Sequence, residues 1–339
     1  DHQLTLTLSA VDSGGFHMNP IDCFNGDADG LCALHQLRLA EPAESELVTG
    51  VKRDIQLLER IRERCDCEIT VLDISLDSNR DALQQLLEQG NHIRWFDHHF
   101  SGEIPDSPLL HATIHTSPEV CTSLLVNQEL AGKFREWALT AAFGDNLHRA
   151  AQRLAEQAGL DAEQQTQLRE LGELLNYNGY GETVADLHFP PDQLFRHMQP
   201  HESPWSFIHE SEALPKLREG YRADQAQTET LQPESESLGG RVFRLPCEPW
   251  CRRVVGVFSN RMAREHPELA HAVLVDTGHG TLVVSVRAPL ERPQGADALC
   301  RKFDGGGRAG AAGINALPDA EVERFLAVFA ASYPGLRIR

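Results

Sequence analysis

Trp95-Phe96-Asp97-His98-His99 closes an apolar run that begins at Ile93, and the same pattern of apolar run and terminal acid recurs along the chain. Ile21, Cys23 and Phe24 lead into Asp27-Ala28-Asp29-Gly30, Ile69-Thr70-Val71-Leu72 leads into Asp73, and Gly144-Asp145-Asn146 ends a helical stretch. Helix-like segments fill the gaps. That alternation is the rhythm of a parallel α/β sheet, whose ligands collect at the carboxyl ends of the strands.

Working outward, the periodicity predicts strands ending at Asn25, over 47–51, at Asp73, at His98 and over 110–115, with helices over 29–39, 54–64 and 79–88. After Pro118 the period becomes helical, over 119–130, 133–143, 149–158 and 162–175. The cluster Asn176-Tyr177-Asn178-Gly179-Tyr180-Gly181 interrupts it. Prolines and polar residues between His188 and Glu236 read as a linker containing one helix over 204–222. The tail restarts with strands over 241–245, 254–258, 272–276 and 282–287 and helices over 260–265 and 296–303. The expected organisation is therefore a first α/β domain over 18–190, a linker over 191–236 and a smaller α/β domain over 237–339. Residues 1–17 read as appended cloning sequence ahead of Met18.

The chain has 339 residues, 41% of them hydrophobic and 24% charged, enough for two ordinary cores. No apolar run approaches the roughly 18 residues of a membrane span, and a cytoplasmic protein without a membrane partner is expected. Eight cysteines are too sparse for a disulfide scaffold in a chain this long, and neither Cys65-x-Cys67 nor Cys247-x3-Cys251 has a second pair at zinc spacing. The formal charge of −19 is uneven: residues 241–339 carry 14 Arg+Lys against 10 Asp+Glu, while the first 240 carry 17 against 40. An acidic first domain suits metal binding and argues against an extended duplex as partner, whereas arginine in the tail suits phosphate.

An Asp-x-Asp at a strand end places its carboxylates on opposite sides of the pleat, so Asp27 and Asp29 can serve different ions with Asp73 between them. His98 and Asp145 would complete the second centre, and a pair of hard divalent ions can activate a water against a phosphoryl group. In the tail, Gly305-Gly306-Gly307-Arg308 bares backbone amides beside a cation, and Arg287 ends a strand as a second anion ligand.

Together, Asn25-Gly26-Asp27-Ala28-Asp29-Gly30, Asp73, Asp97-His98-His99, Asp145, Ser285-x-Arg287 and Gly305-Gly306-Gly307-Arg308-x-x-Ala311-Ala312-Gly313 resemble the DHH phosphoesterases with their C-terminal DHH-associated domain. That superfamily includes RecJ-type exonucleases, nano-RNases and cyclic-dinucleotide phosphodiesterases. The resemblance implies an α/β fold with an active-site cleft between two domains and two manganese ions, or magnesium. Asn25, Asp27 and Asp73 would face one ion and Asp29, Asp73, His98 and Asp145 the other. Asp97 would orient an imidazole, His99 would lie near the scissile phosphate, and Arg287 with Gly305, Gly306, Gly307 and Arg308 would grip the far end of the substrate. Asn25 stands where the family commonly has histidine, which weakens the first ion's site; Arg308 stands where it has histidine, which favours a substrate with an additional phosphate. The expected activity is metal-dependent hydrolysis of short nucleotides: oligoribonucleotides of a few residues, cyclic dinucleotides or phosphorylated mononucleotides. A RecJ-type single-strand DNA exonuclease and a nucleotide-binding regulatory protein are the alternatives, with a homodimer left open.

Overall fold

The computed structural model describes residues 18–335, so the segment 1–17 and the last four residues lie outside it. The chain runs β1 (Asn19–Phe24), α1 (Ala28–Ala40), β2 (Glu46–Val48), β3 (Cys67–Leu72), α2 (Arg80–Glu88), β4 (His92–Asp97) and β5 (Leu110–Ile114). These five strands form one parallel sheet in the order β2-β1-β3-β4-β5. The pleat divides each strand end between two cores. Phe24, Leu72 and Phe96 face one, while Cys23, Val71 and Trp95 face the other.

The first of these cores is built against α1 and a run of helices: α3 (Thr122–Glu129), α4 (Arg135–Gly144), α5 (His148–Gln157), α6 (Ala162–Tyr177), α7 (Pro191–Met198), α8 (Pro204–Glu210) and α9 (Ala213–Thr228). The expected linker is thus corrected. Leu194, Phe195, Met198, Phe207, Leu214 and Leu217 of α7–α9 are buried in the same core as Phe24 and Trp137, so residues 191–228 are part of the first domain. The helix expected over 54–64 is only a single short 3₁₀ turn, Leu57–Ile61.

The second sheet follows: β6 (Ser235–Glu236), β7 (Gly240–Leu245), α10 (Pro249–Glu265), β8 (Ala270–Asp276), β9 (Thr281–Arg287), α11 (Ala296–Arg301), β10 (Gly306–Gly307), β11 (Ala311–Pro318) and α12 (Val322–Ser332). Its order is β10-β11-β9-β8-β7-β6, antiparallel except for β7 with β8. The strand expected over 254–258 lies inside α10, with Val254, Val255 and Phe258 buried on the sheet. α10 also ties the halves together. Arg252 Nη2 is 2.7 Å from Asp186 Oδ1, and Arg253 makes a bidentate pair with Asp224 at 2.7 and 2.8 Å. Among the described residues no helix is long and apolar enough to cross a membrane.

Candidate metal centre

The acidic side chains gather at the carboxyl edge of the parallel sheet. Asp29 lies in the first turn of α1 and reaches the N-terminus of α3, where its two oxygens accept from the Ser123 and Thr122 amides at 2.7 and 2.8 Å. Asp73 follows β3 in the left-handed region, φ 61°, a conformation that asparagine and aspartate tolerate better than other side chains. Its Oδ1 accepts from the Thr122 hydroxyl at 3.1 Å. Asp145 caps the C-terminus of α4, a helix brought close to α6 because Gly172 has no side chain: a Cβ there would stand 2.1 Å from the Thr140 carbonyl oxygen.

His98 completes the group. Its Nδ1 lies 2.9 Å from the Val120 carbonyl, which can only accept, so Nδ1 carries the hydrogen and Nε2 of the neutral ring a lone pair. That nitrogen is 3.3 Å from Asp73 Oδ1, 3.7 Å from Asp29 Oδ2 and 3.9 Å from Asp145 Oδ2. A lone pair among three carboxylates is repulsive unless a proton or a metal ion lies between them. The ionisation states agree. Burial and the charges of Asp29, Asp27, Asp145 and Asp97 push the Asp73 carboxyl well up, and burial, against Lys52 and with Asp29 and Asp27, pushes Asp145 up to about 6. Carboxylates with one imidazole suit manganese or magnesium, so the residues fit a divalent ion held by Asp29, Asp73, His98 and Asp145.

Asp97, wholly buried, accepts from His99 Nδ1 at 2.6 Å. Burial alone would lower the His99 pKa, but this bond and the Asp97 charge raise it. The imidazole that Asp97 orients is therefore that of His99, whereas His98 is oriented by a backbone carbonyl.

Asp27 and Asn25 are differently engaged. Asp27 Oδ1 caps α1 through the Gly30 amide at 3.0 Å, and Oδ2 takes the Lys52 ammonium at 2.7 Å. Burial would raise this carboxyl, but the Lys52 charge and hydrogen bond hold it below the usual range. The Asn25 amide donates to the Lys52 carbonyl at 2.9 Å and accepts from the Asp27 amide at 3.1 Å. Sequence reasoning missed Lys52, Asn176, Thr122 and Ser123. Only Lys52 left a signal: it is one of four lysines in an arginine-rich chain, and it follows a strand at the edge where ligands collect.

The second domain reaches this edge through the hairpin that bears Arg308 and through α10. A cavity of about 280 Å³ is lined by Asp27, Lys52, Asp73, His98 and His99 on one side and by Arg308 on the other. Gly306 and Gly307 pair with Gly313 and Ala312, and Gly307, at φ 143°, has no room for a side chain, since a Cβ would stand 2.5 Å from Ala312 Cα. The amides of Gly305 and Arg308 are used by the Cys300 and Ala311 carbonyls, and Gly306 and Gly307 are exposed beside Arg308 on the hairpin. Arg287 lies outside that cavity; its guanidinium donates to Asn260 Oδ1 at 2.7 Å and Ser285 Oγ at 2.9 Å. Asn260 in turn lines an adjoining cavity of about 220 Å³ that shares Lys52 and Asp145 with the first. Among the described residues, neither Arg287 nor Arg308 pairs with a carboxylate.

No protein-family model matches this chain, and no curated protein matches it. Solved structures do share its fold. Exonuclease RecJ bound to manganese aligns with a TM-score of 0.61 at 18% identity, over 93% of this chain and 90% of that one. RecJ in complex with Mn2+ from Thermus thermophilus gives 0.60 at 19% identity over 93% of this chain, which spans only 52% of that one. The pGpG-specific phosphodiesterase PggH from Vibrio cholerae gives 0.54 at 13% identity, over 93% and 98% of the two chains. The chain thus shares its fold with RecJ and with PggH.

Proposed function

We propose that the protein is a divalent-metal-dependent phosphoesterase acting on short nucleotides: oligoribonucleotides of a few residues, cyclic dinucleotides or phosphorylated mononucleotides. The observation that carries this reading is the His98 Nε2 lone pair, turned toward Asp29, Asp73 and Asp145 across a cavity from Arg308. The RecJ and PggH structures, an exonuclease and a phosphodiesterase by name, support the reaction class.

When bound, a divalent ion supplies a water acidic enough to attack and a counter-charge for the phosphoryl oxygens. The chain's own residues do the rest. Asp29 is fixed by two amides of α3 and His98 by Val120, so these ligands keep their places without reorganising during the reaction. With Nδ1 committed to Asp97, His99 can hold a proton at Nε2 and pass it to the departing oxygen. Arg308 can clamp a second phosphate with two parallel hydrogen bonds.

Charge and size favour a short substrate. A net charge of −19 with 6% aromatic residues suits a short substrate better than a long single strand, which is held by cationic and stacking side chains along its length. The test is product release from cyclic dinucleotides, dinucleotides, longer RNA and DNA and phosphorylated mononucleotides, each with manganese, magnesium or chelator. Manganese-dependent turnover confined to the short members is expected. Faster cleavage of long DNA would favour the RecJ-type alternative, and tight nucleotide binding without turnover the regulatory one.

A further inference from the structure

Two groups of acidic and imidazole side chains that overlap at His98 lie close enough to share an ion among the described residues, Asp29 with His98 and Asp145, and Asp73 with His98 and His99; neither contains Asp27. The place beside Asp27 already has a cation. Lys52 Nζ is 2.7 Å from Asp27 Oδ2, 3.2 Å from Asn176 Oδ1 and 3.9 Å from Asp145 Oδ1. We infer that this centre holds a single divalent ion, and that the Lys52 ammonium stands permanently where a second ion would stand beside Asp27. The inference rests on the metal-centre reading above and departs from the two-ion expectation.

Three features fix the lysine there. Its backbone is pinned at both ends, the amide donating to the Gly179 carbonyl at 2.8 Å and the carbonyl accepting from Asn25 Nδ2 at 2.9 Å. Asn25 is thus a tether for the Lys52 loop: one amide atom holds that loop and the other holds Asp27. Asp27 differs from Asp29 in what its oxygens meet: Asp29 accepts only from neutral amides, whereas Asp27 Oδ2 carries a full cation, the Lys52 ammonium. Finally, Tyr180 lays its ring 5.7 Å from Nζ, a further favourable surface for a cation.

A divalent ion entering between Asp27 and Asp145 would have to displace this ammonium or sit against it, and like charges a few ångströms apart in a buried site repel strongly. The lysine keeps part of what the ion would do. An ammonium has three donors, of which Asp27 and Asn176 take two, leaving one for a phosphoryl oxygen in the cavity that Lys52 lines. It supplies one positive charge without exchange with solvent.

The decisive experiment is a metal count on the intact protein: manganese per chain after equilibration and desalting, with the electron paramagnetic resonance spectrum of the same sample. The wild type should hold one ion with the spectrum of an isolated centre, and Asn25→His combined with Lys52→Ala should hold two with a coupled spectrum. Two ions in the wild type overturn the inference. No ion overturns it together with the metal centre, whereas one ion without hydrolysis of any nucleotide overturns the proposed function and leaves the single-ion centre standing. Lys52→Ala alone should lower kcat about 10²-fold; unchanged kcat overturns the role given to the ammonium, and the wild-type count needs no variant to fold.

Discussion

Asp73 concentrates the conflict between stability and function: a carboxylate in the left-handed region, 2% exposed, facing the like charges of Asp29, Asp27, Asp145 and Asp97. Asp73→Asn keeps the shape and tolerates that backbone but removes the buried charge. Without metal, the variant should melt higher than the wild type by the equivalent of about 1 kcal/mol, and its manganese affinity should fall at least about tenfold; calorimetry with and without manganese reads both, and a lower melting temperature without metal contradicts the account. Asp27 with Asp29, then Asp73, His98 and Asp145, stood out in the sequence because they close four separate runs, and the structure brings them to one edge. Lys52 and Asn176 were not, since they are 124 residues apart and meet only through tertiary structure. His35 gives the pH dependence. Burial holds it down at about 4 in the folded protein, against 6.5 when exposed, while Nε2 bonds the His201 carbonyl at 2.7 Å. The unfolded chain binds the extra proton first, so this contribution is complete above pH 6.5 and is lost as pH falls toward 4, up to about 3 kcal/mol. Urea midpoints at the two ends of that window should converge in His35→Gln, and an unchanged difference would rule the ring out as its source.

At the scale of elements, the site depends on how closely α4 meets α6. Gly172→Ala sets a methyl against the Thr140 carbonyl, backbone that cannot rotate away, so the helices must separate and carry Asp145 with them. The variant should lose about 2 kcal/mol of stability and bind manganese more weakly, as melting and metal titration would show; an unchanged melting temperature would mean the contact relaxes freely. The first sheet was readable in the sequence because its apolar runs are short and end in polar groups. Two segments misled for identifiable reasons. Val254-Val255-Gly256-Val257-Phe258 has the composition of a strand, yet it continues a helix begun by Pro249 and pressed onto the second sheet, where packing decides over propensity. The prolines of the expected linker, Pro191 and Pro204, stand in the first turns of helices, where proline is favoured, and so mark starts that resemble breaks.

For the whole molecule, the question is what holds Arg308 opposite the metal ligands. The hairpin bearing it belongs to the second sheet, and that sheet is anchored to the first domain by the two arginines of α10. Asp224 is 3% exposed and meets Arg253, the Tyr177 hydroxyl and, at 3.9 Å, His188 Nε2. Removing its cation leaves a buried carboxylate facing a hydroxyl and a ring, which costs about 3 kcal/mol when one partner of such a pair is lost. Arg253→Met should therefore melt lower. It should also raise KM more than it lowers kcat, because the proposed metal ligands all lie in the first domain while the proposed phosphate clamp, Arg308, lies in the second. Arg308→Ala separates the two effects: exposed and without a carboxylate partner among the described residues, it should raise KM for doubly phosphorylated substrates with an unchanged melting temperature. Steady-state kinetics with one and two phosphates on the same nucleoside make the comparison. If Arg308→Ala leaves KM equal to the wild type on both, the arginine does not touch substrate. The loss in Arg253→Met would then come from stability alone.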